Sequence, residues 1–96
     1  MRAYTIVQVE VHDQKTYDAY RKDVLETIEA YGGRFLVRGG PMTVLEGAWA
    51  YPRTVVIEFP SRKDAESWYR SPAYQKILPL RLKAAKSNFI IIDGAA

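Results

Sequence analysis

Five charged side chains, Arg34, Arg38, Glu46, Arg53 and Glu58, are set into the otherwise apolar, strand-like runs of residues 32–59, GGRFLVRGGPMTVLEGAWAYPRTVVIEF. Taking an ionised group out of water costs several kcal/mol unless something answers the charge. Arginine's planar guanidinium offers paired donors in a fixed fork, which suits a carboxylate or an enolate. Arg34 and Arg53 are therefore candidate ligands for an anion, and Glu46 is the candidate catalytic group, orienting the substrate or moving a proton if burial raises its pKa. Trp49 and Tyr51 stand in the intervening loop, where the Trp49 indole is a candidate apolar wall for an aromatic ligand. The competing interpretation is an ion-pair network that fixes strand register, because Arg and Glu opposed across strands are common.

Other residues carry weaker signals. His12, the single histidine, falls between a strand and a helix cap among polar neighbours, which suits a solvated loop better than a proton carrier or haem ligand. Ser61 and Ser71 have capping positions that account for them, and no base is placed to make either a nucleophile. Trp68, Tyr69 and Tyr74 recur at helical spacing and read as core. With no cysteine, the chain has neither a disulfide framework nor a thiolate zinc site, and no bound cofactor or metal is expected.

The elements that must position these groups follow from periodicity. Ala3 to Val11 alternates, with Ala3, Thr5, Val7, Val9 and Val11 on one side and Tyr4, Ile6, Gln8 and Glu10 on the other, as in a strand. Asp13 caps a helix whose apolar positions Tyr17, Tyr20, Val24, Leu25, Ile28 and Tyr31 share a face, and Gly32 and Gly33 end it. Arg34 to Arg38 reads as a strand, Gly39 to Pro41 as a kink, Met42 to Glu46 as a second extended piece, and Ala48 to Pro52 as a hairpin into the strand Arg53 to Phe59. Ser61 with Asp64 opens a second helix, and Ser71 with Pro72 repeats the signal. Pro79 should interrupt this last helix, which then resumes to about Lys86. The strand Phe89 to Ile92 is apolar throughout, as if buried on both faces.

This βαββαβ order describes a single α+β domain over residues 1–96, ferredoxin-like, with an antiparallel sheet and both helical stretches, about 13–31 and 61–86, on one face. Val55, Ile57 and Phe59 point under the helices, leaving Thr54, Val56 and Glu58 with Tyr4 and Ile6 on an outer face that mixes apolar and polar groups. Such a face suits a second sheet packed over it. A domain of this size buries only about 60–65% of its unfolded surface, a further reason to expect a homodimer. The same architecture serves the RNA recognition motif, but the positions of its stacking aromatics fall on Thr54 and Val56, so no nucleic-acid partner is expected. A net charge of +3, with a modest basic group at Arg81, Lys83 and Lys86, adds little to that case. No apolar run reaches the ~20 residues that span a bilayer, and the first residues lack a secretion signal, so the expectation is a cytoplasmic protein without a membrane partner.

With these residues assembled, the chain resembles the family of small bacterial proteins known as domain of unknown function 1330, within the dimeric α+β barrel superfamily. The marks are the Tyr20 region, YGGRFLVRGG at 31–40, LEG followed by Trp49, RTVVIEFPS at 53–61, Ala65 with WYRSPAYQ at 68–75, and Arg81. The resemblance covers nearly the whole chain. It implies a ferredoxin-like protomer whose sheet packs on a partner's to form a barrel, and no settled activity. Superfamily members include cofactor-independent oxygenases, isomerases, haem enzymes and ligand-binding modules. Two functions are thus expected in competition: a cofactor-independent enzyme acting on a small anionic or enolisable molecule, and a noncatalytic small-ligand or stress-related binding module.

Overall fold

A computed structural model describes residues 1–95. The elements run β1 (Ala3–Val11), α1 (Gln14–Glu29), β2 (Arg34–Arg38), β3 (Arg53–Phe59), α2 (Arg62–Arg70), α3 (Pro72–Ala84) and β4 (Ala85–Asp93). The strands form one antiparallel sheet in the order β2-β3-β1-β4, the ferredoxin-like α+β arrangement expected. Alternation in β1 buries Ala3, Thr5, Val7 and Val9 beneath the helices, where Val55, Ile57 and Phe59 of β3 join them. Trp68 is the centre of this core, fully buried against Tyr74 at 4.2 Å and Phe59 at 5.3 Å between ring centroids. Its indole N–H donates to the Thr27 hydroxyl at 3.0 Å, so the polar end of the buried ring is satisfied.

The caps behave as the sequence demands. Asp13 accepts from the Thr16 backbone N–H, and Ser61 and Ser71 accept from the N–H groups of Asp64 and Tyr74. Helix α1 ends with Gly33 N–H bonding the Ile28 carbonyl and Gly32 N–H bonding that of Glu29, Gly32 taking φ of +75°.

Three sequence expectations need correction. The sheet ladder of β2 stops at Arg38, and residues 39–52 form neither the second extended piece at Met42 to Glu46 nor a hairpin. Pro79 does not interrupt α3: it sits on the exposed side of the helix, where the Gln75 carbonyl that loses its N–H donor also faces water. The last strand begins at Ala85 rather than Phe89 and is buried on one face, since Ile90 and Ile92 remain about half exposed on the other. Their four-residue apolar run reflects an inner face against the helices and an outer one bare in the single protomer. Among the described residues no helix is long and apolar enough to cross a membrane.

Candidate functional site

A β-bulge in β2 decides which charges reach the space under the helices. Phe35 opposes Ile57 on the inner face, but the next paired residue is Val37 opposite Val56, with Leu36 left over. The extra residue restores the phase so that Arg38, opposite Val55, also turns inward. Without it, Phe35 and Val37 would face the helices, and Arg38 would face out. Across the sheet, Arg53 at the start of β3 opposes Val9 of β1 and shares that inner face. Arg21 reaches the same place from α1, one residue beyond Tyr20 on the buried stripe.

These three arginines meet at the mouth of a cavity. Arg38 lies 4.2 Å from the centroid of Phe35, and Arg53 5.8 Å from that of Tyr17, both in cation–π arrangement. The Arg53 guanidinium rests on Gly39, where any Cβ would collide with it, and donates a long 3.4 Å bond to the Arg38 carbonyl. The Nε–H groups of Arg21 and Arg53 are buried and meet no acceptor in the protein. Arg21 has a loose partner in Asp18 at 3.9 Å. Burial, and after it the like charges of Arg21 and Arg53, hold the Arg38 pKa below its ordinary value.

The inner end holds Arg81, only 4% exposed, whose Nε donates to the Tyr74 hydroxyl at 3.4 Å while the guanidinium lies over Phe89. Tyr74 and Tyr20 join their hydroxyls at 2.9 Å. Burial, reinforced by the neighbouring Tyr74, drives the Tyr20 pKa well above that of a free phenol, and burial raises Tyr74 as well, so both stay protonated. The cavity is lined by Arg21, Arg38, Arg53 and Arg81 together with Tyr17, Tyr20, Phe35, Trp68, Phe89 and aliphatic groups, and none of its lining residues is acidic. Its volume of about 30 Å³ has room for roughly two waters. A larger ligand requires the mouth to widen around Arg38, which is exposed, and Arg21, which is partly so.

The residues singled out from sequence are dispersed. Arg53 belongs to the cavity. Arg34 lies on the opposite face of the sheet, its Nε donating to Glu58 at 3.0 Å, with Arg2 at 2.8 Å and the Tyr4 hydroxyl at 3.3 Å on the same carboxylate. Glu46 is exposed in the 39–52 segment, along a separate groove of about 380 Å³ that also involves Val37, Met42, Leu45 and Trp49. Trp49 donates to the Thr54 hydroxyl at 2.9 Å. Arg34, Glu46 and Arg53 are therefore not brought together. His12 is exposed and outside the cavity. The described residues contain no group of three His, Cys, Asp or Glu side chains able to hold a metal. Arg81 was detectable as a charge four residues beyond Ile77 on the buried stripe of α3, and Arg21 as a charge beside Tyr20 on that of α1. The inward turn of Arg38 was not detectable, because it depends on the bulge.

A ferredoxin-like sheet with an arginine-lined cavity beneath its helices is the class of protein these features define. Residues 2–95 match the family described as Domain of unknown function (DUF1330), and the chain belongs to it. Among solved structures it is similar to a protein of unknown function from Rhodopseudomonas palustris (20% identity, TM-score 0.79, covering 99% of this chain and 83% of that one). A dimeric ferredoxin-like protein of unknown function from Jannaschia sp. CCS1 is also similar (12% identity, TM-score 0.66, 98% and 100% covered). So is SnoaB, a cofactor-independent oxygenase from Streptomyces nogalater (7% identity, TM-score 0.64, 99% and 94% covered). At these identities the likeness establishes the fold alone. No curated protein matches the chain.

Proposed function

We propose that this protein binds a small planar anion, such as an aromatic carboxylate, in the cavity beneath α1, with Arg21, Arg38 and Arg53 as its ligands. One observation carries the reading: four arginines line a partly buried aromatic cavity that no acidic side chain lines. Arginines that serve structure alone are ordinarily matched by carboxylates, as the exposed Arg34 is by the buried Glu58, because an unmatched charge taken out of water is destabilising. A group of arginines left unmatched over aromatic rings is instead complementary to an anion with a flat body.

Of the residues prominent in the sequence, this reading keeps Arg53 as an anion ligand and leaves Arg34 to its ion pair. Glu46 and Trp49 are assigned to the outer groove, next to the surface proposed to meet a second copy in a homodimer. That proposal draws support from the dimeric Jannaschia protein and from a row of apolar residues in register across the outer face, Val37, Val56, Ile6 and Ile90.

A catalytic version draws support from the likeness to a cofactor-independent oxygenase. Yet the cavity lining offers no side chain able to accept a proton near neutral pH: its tyrosines and arginines are donors, and Glu46 and His12 lie elsewhere. Binding therefore ranks first, and catalysis is compatible with the pocket only for a substrate that arrives ionised or ionises on binding. Calorimetric titration with benzoate at low salt tests the reading. Binding should be present in the wild type and fall about tenfold or more in Arg53→Met and Arg38→Met, each of which removes a charge-assisted hydrogen bond. Absence of benzoate binding, or affinity indifferent to both substitutions, would refute it.

A further inference from the structure

Proton accounting at the inner end of the cavity narrows the ligand. Tyr20 and Tyr74 make one hydrogen bond between their hydroxyls, which uses one of the two O–H groups whichever way it runs. The other hydroxyl of the pair keeps its O–H, and the Arg81 Nε–H donates to the Tyr74 oxygen; an anion beside Tyr20 selects the direction Tyr74 to Tyr20, which leaves the Tyr20 O–H to give. Arg81 contributes further N–H donors and no acceptor. Tyr20 and Arg81 both line the cavity, and no carboxylate shares the lining. This end is therefore a set of donors around a positive charge, walled by Phe89 and Trp68. Neutral oxygens satisfy such a set poorly. An anionic oxygen satisfies it well, because a preorganised donor in a water-poor site acts most strongly where full charge sits.

We infer that Arg81, with the hydroxyl pair of Tyr20 and Tyr74, is an oxyanion site that holds an ionised phenol or enol oxygen, while Arg21, Arg38 and Arg53 hold a carboxylate at the mouth. The inference rests on the anion-binding reading above and deepens it. The ligand class is a planar acid bearing a second, weakly acidic hydroxyl: a hydroxylated aromatic acid, or an oxo acid in its enol form. The site favours loss of the hydroxyl proton to solvent, and no residue of the cavity is required to take it.

The probe 4-hydroxy-3-nitrobenzoate tests this, since it has a carboxylate at one end and a phenol whose ionised form is coloured at the other. Bound to the wild type, the phenol should ionise about one pH unit or more below its value in free solution, which is a tenfold preference for the ionised form. Arg81→Met and Tyr20→Phe should abolish most of that shift, whereas Arg53→Met should weaken binding yet leave the shift of the bound fraction. Tyr20→Phe removes a single hydroxyl, so the test stands even if Arg81→Met fails to fold. A bound probe that titrates as in free solution, a shift that survives both inner substitutions, or a probe that does not bind where benzoate does would each overturn the inner site and leave the mouth intact. If neither benzoate nor the probe binds, both readings fall.

Discussion

Gly39 and Arg53 constrain each other. The glycine backbone has φ of +76°, and its missing side chain is where the Arg53 guanidinium lies. Gly39→Ala should therefore cost about 1–2 kcal/mol for the left-handed conformation and, by displacing Arg53, weaken benzoate binding beyond what Arg34→Met does; denaturant melts and calorimetry on the two variants check this. Glu58 sets a second expectation. Burial raises its pKa, but the hydrogen bond and charge of Arg34, the charge of Arg2 and the Tyr4 hydroxyl outweigh burial and hold it below the ordinary 4.5. A carboxylate with a depressed folded pKa stabilises the protein fully above its unfolded value, and that contribution disappears as pH falls through the folded value. Wild-type melting temperature should drop on acidification below the ordinary carboxylate range, and Glu58→Gln should melt lower at neutral pH with a shallower acid dependence. At this scale the sequence revealed that charges were trapped in apolar strands. It did not reveal their partners, because Arg34, Arg53 and Glu58 are spaced by strand pairing across the sheet, and one inserted residue in β2 reverses the face on which Arg38 lands.

Helix α3 tolerates a proline in its interior. Pro79 withholds the hydrogen bond that the Gln75 carbonyl would receive, and because it is exposed it contributes little packing in return. Pro79→Ala should therefore stabilise the fold, by about 1–3 kcal/mol once the smaller entropy of the proline-containing unfolded chain is allowed for; a decrease in denaturation midpoint would contradict this. The elements that read clearly from sequence were those whose local signals agreed with their tertiary setting. β1 alternates, α1 begins at an Asp cap and stops at a glycine pair, and β3 is rich in β-branched residues. Residues 39–52 were misread because Met42, Thr43, Val44 and Leu45 have the composition of a strand, while nothing local says that no neighbouring strand is available to pair with them. Pro79 was misread for the converse reason, since packing of Tyr74, Ile77, Leu78 and Arg81 holds a helix that propensity alone would break.

For the molecule as a whole, the outer face of the sheet is the feature that a single protomer does not explain. Val37, Val56, Ile6 and Ile90 lie in one row across all four strands, with Ile92 beside it, and Val37, Ile90 and Ile92 are each more than 40% exposed. Val56→Asp, in the middle of that row, would leave an unpaired charge in the proposed dimer contact at a cost of several kcal/mol. Light scattering should then find wild-type dimer at micromolar concentration and variant monomer or aggregate. A wild-type monomer would contradict the proposed homodimer. The mixed character of this face was legible in the alternation of β1 and β3. Its extension over β2 and β4 was not, because the bulge and the true start of β4 set which residues of those strands point outward.

The central position of β1 has a consequence for how the chain is made. Its hydrogen-bonding partners on both sides, β3 and β4, are later in the sequence, and Ala3 ends up opposite Asp93. On a ribosome, the first strand to emerge has no neighbour until Arg53 onward has followed it, and it gains its second neighbour only when the last strand is out. Such distant pairing forms slowly compared with a helix. For most of synthesis, then, Val7 and Val9 must be shielded by α1 alone or by a chaperone, while Ile6, on the other face, has no helix to cover it. A pause in translation between β3 and β4 would hold the nascent chain with one edge of β1 unpaired, the state in which this sequence is most exposed to aggregation.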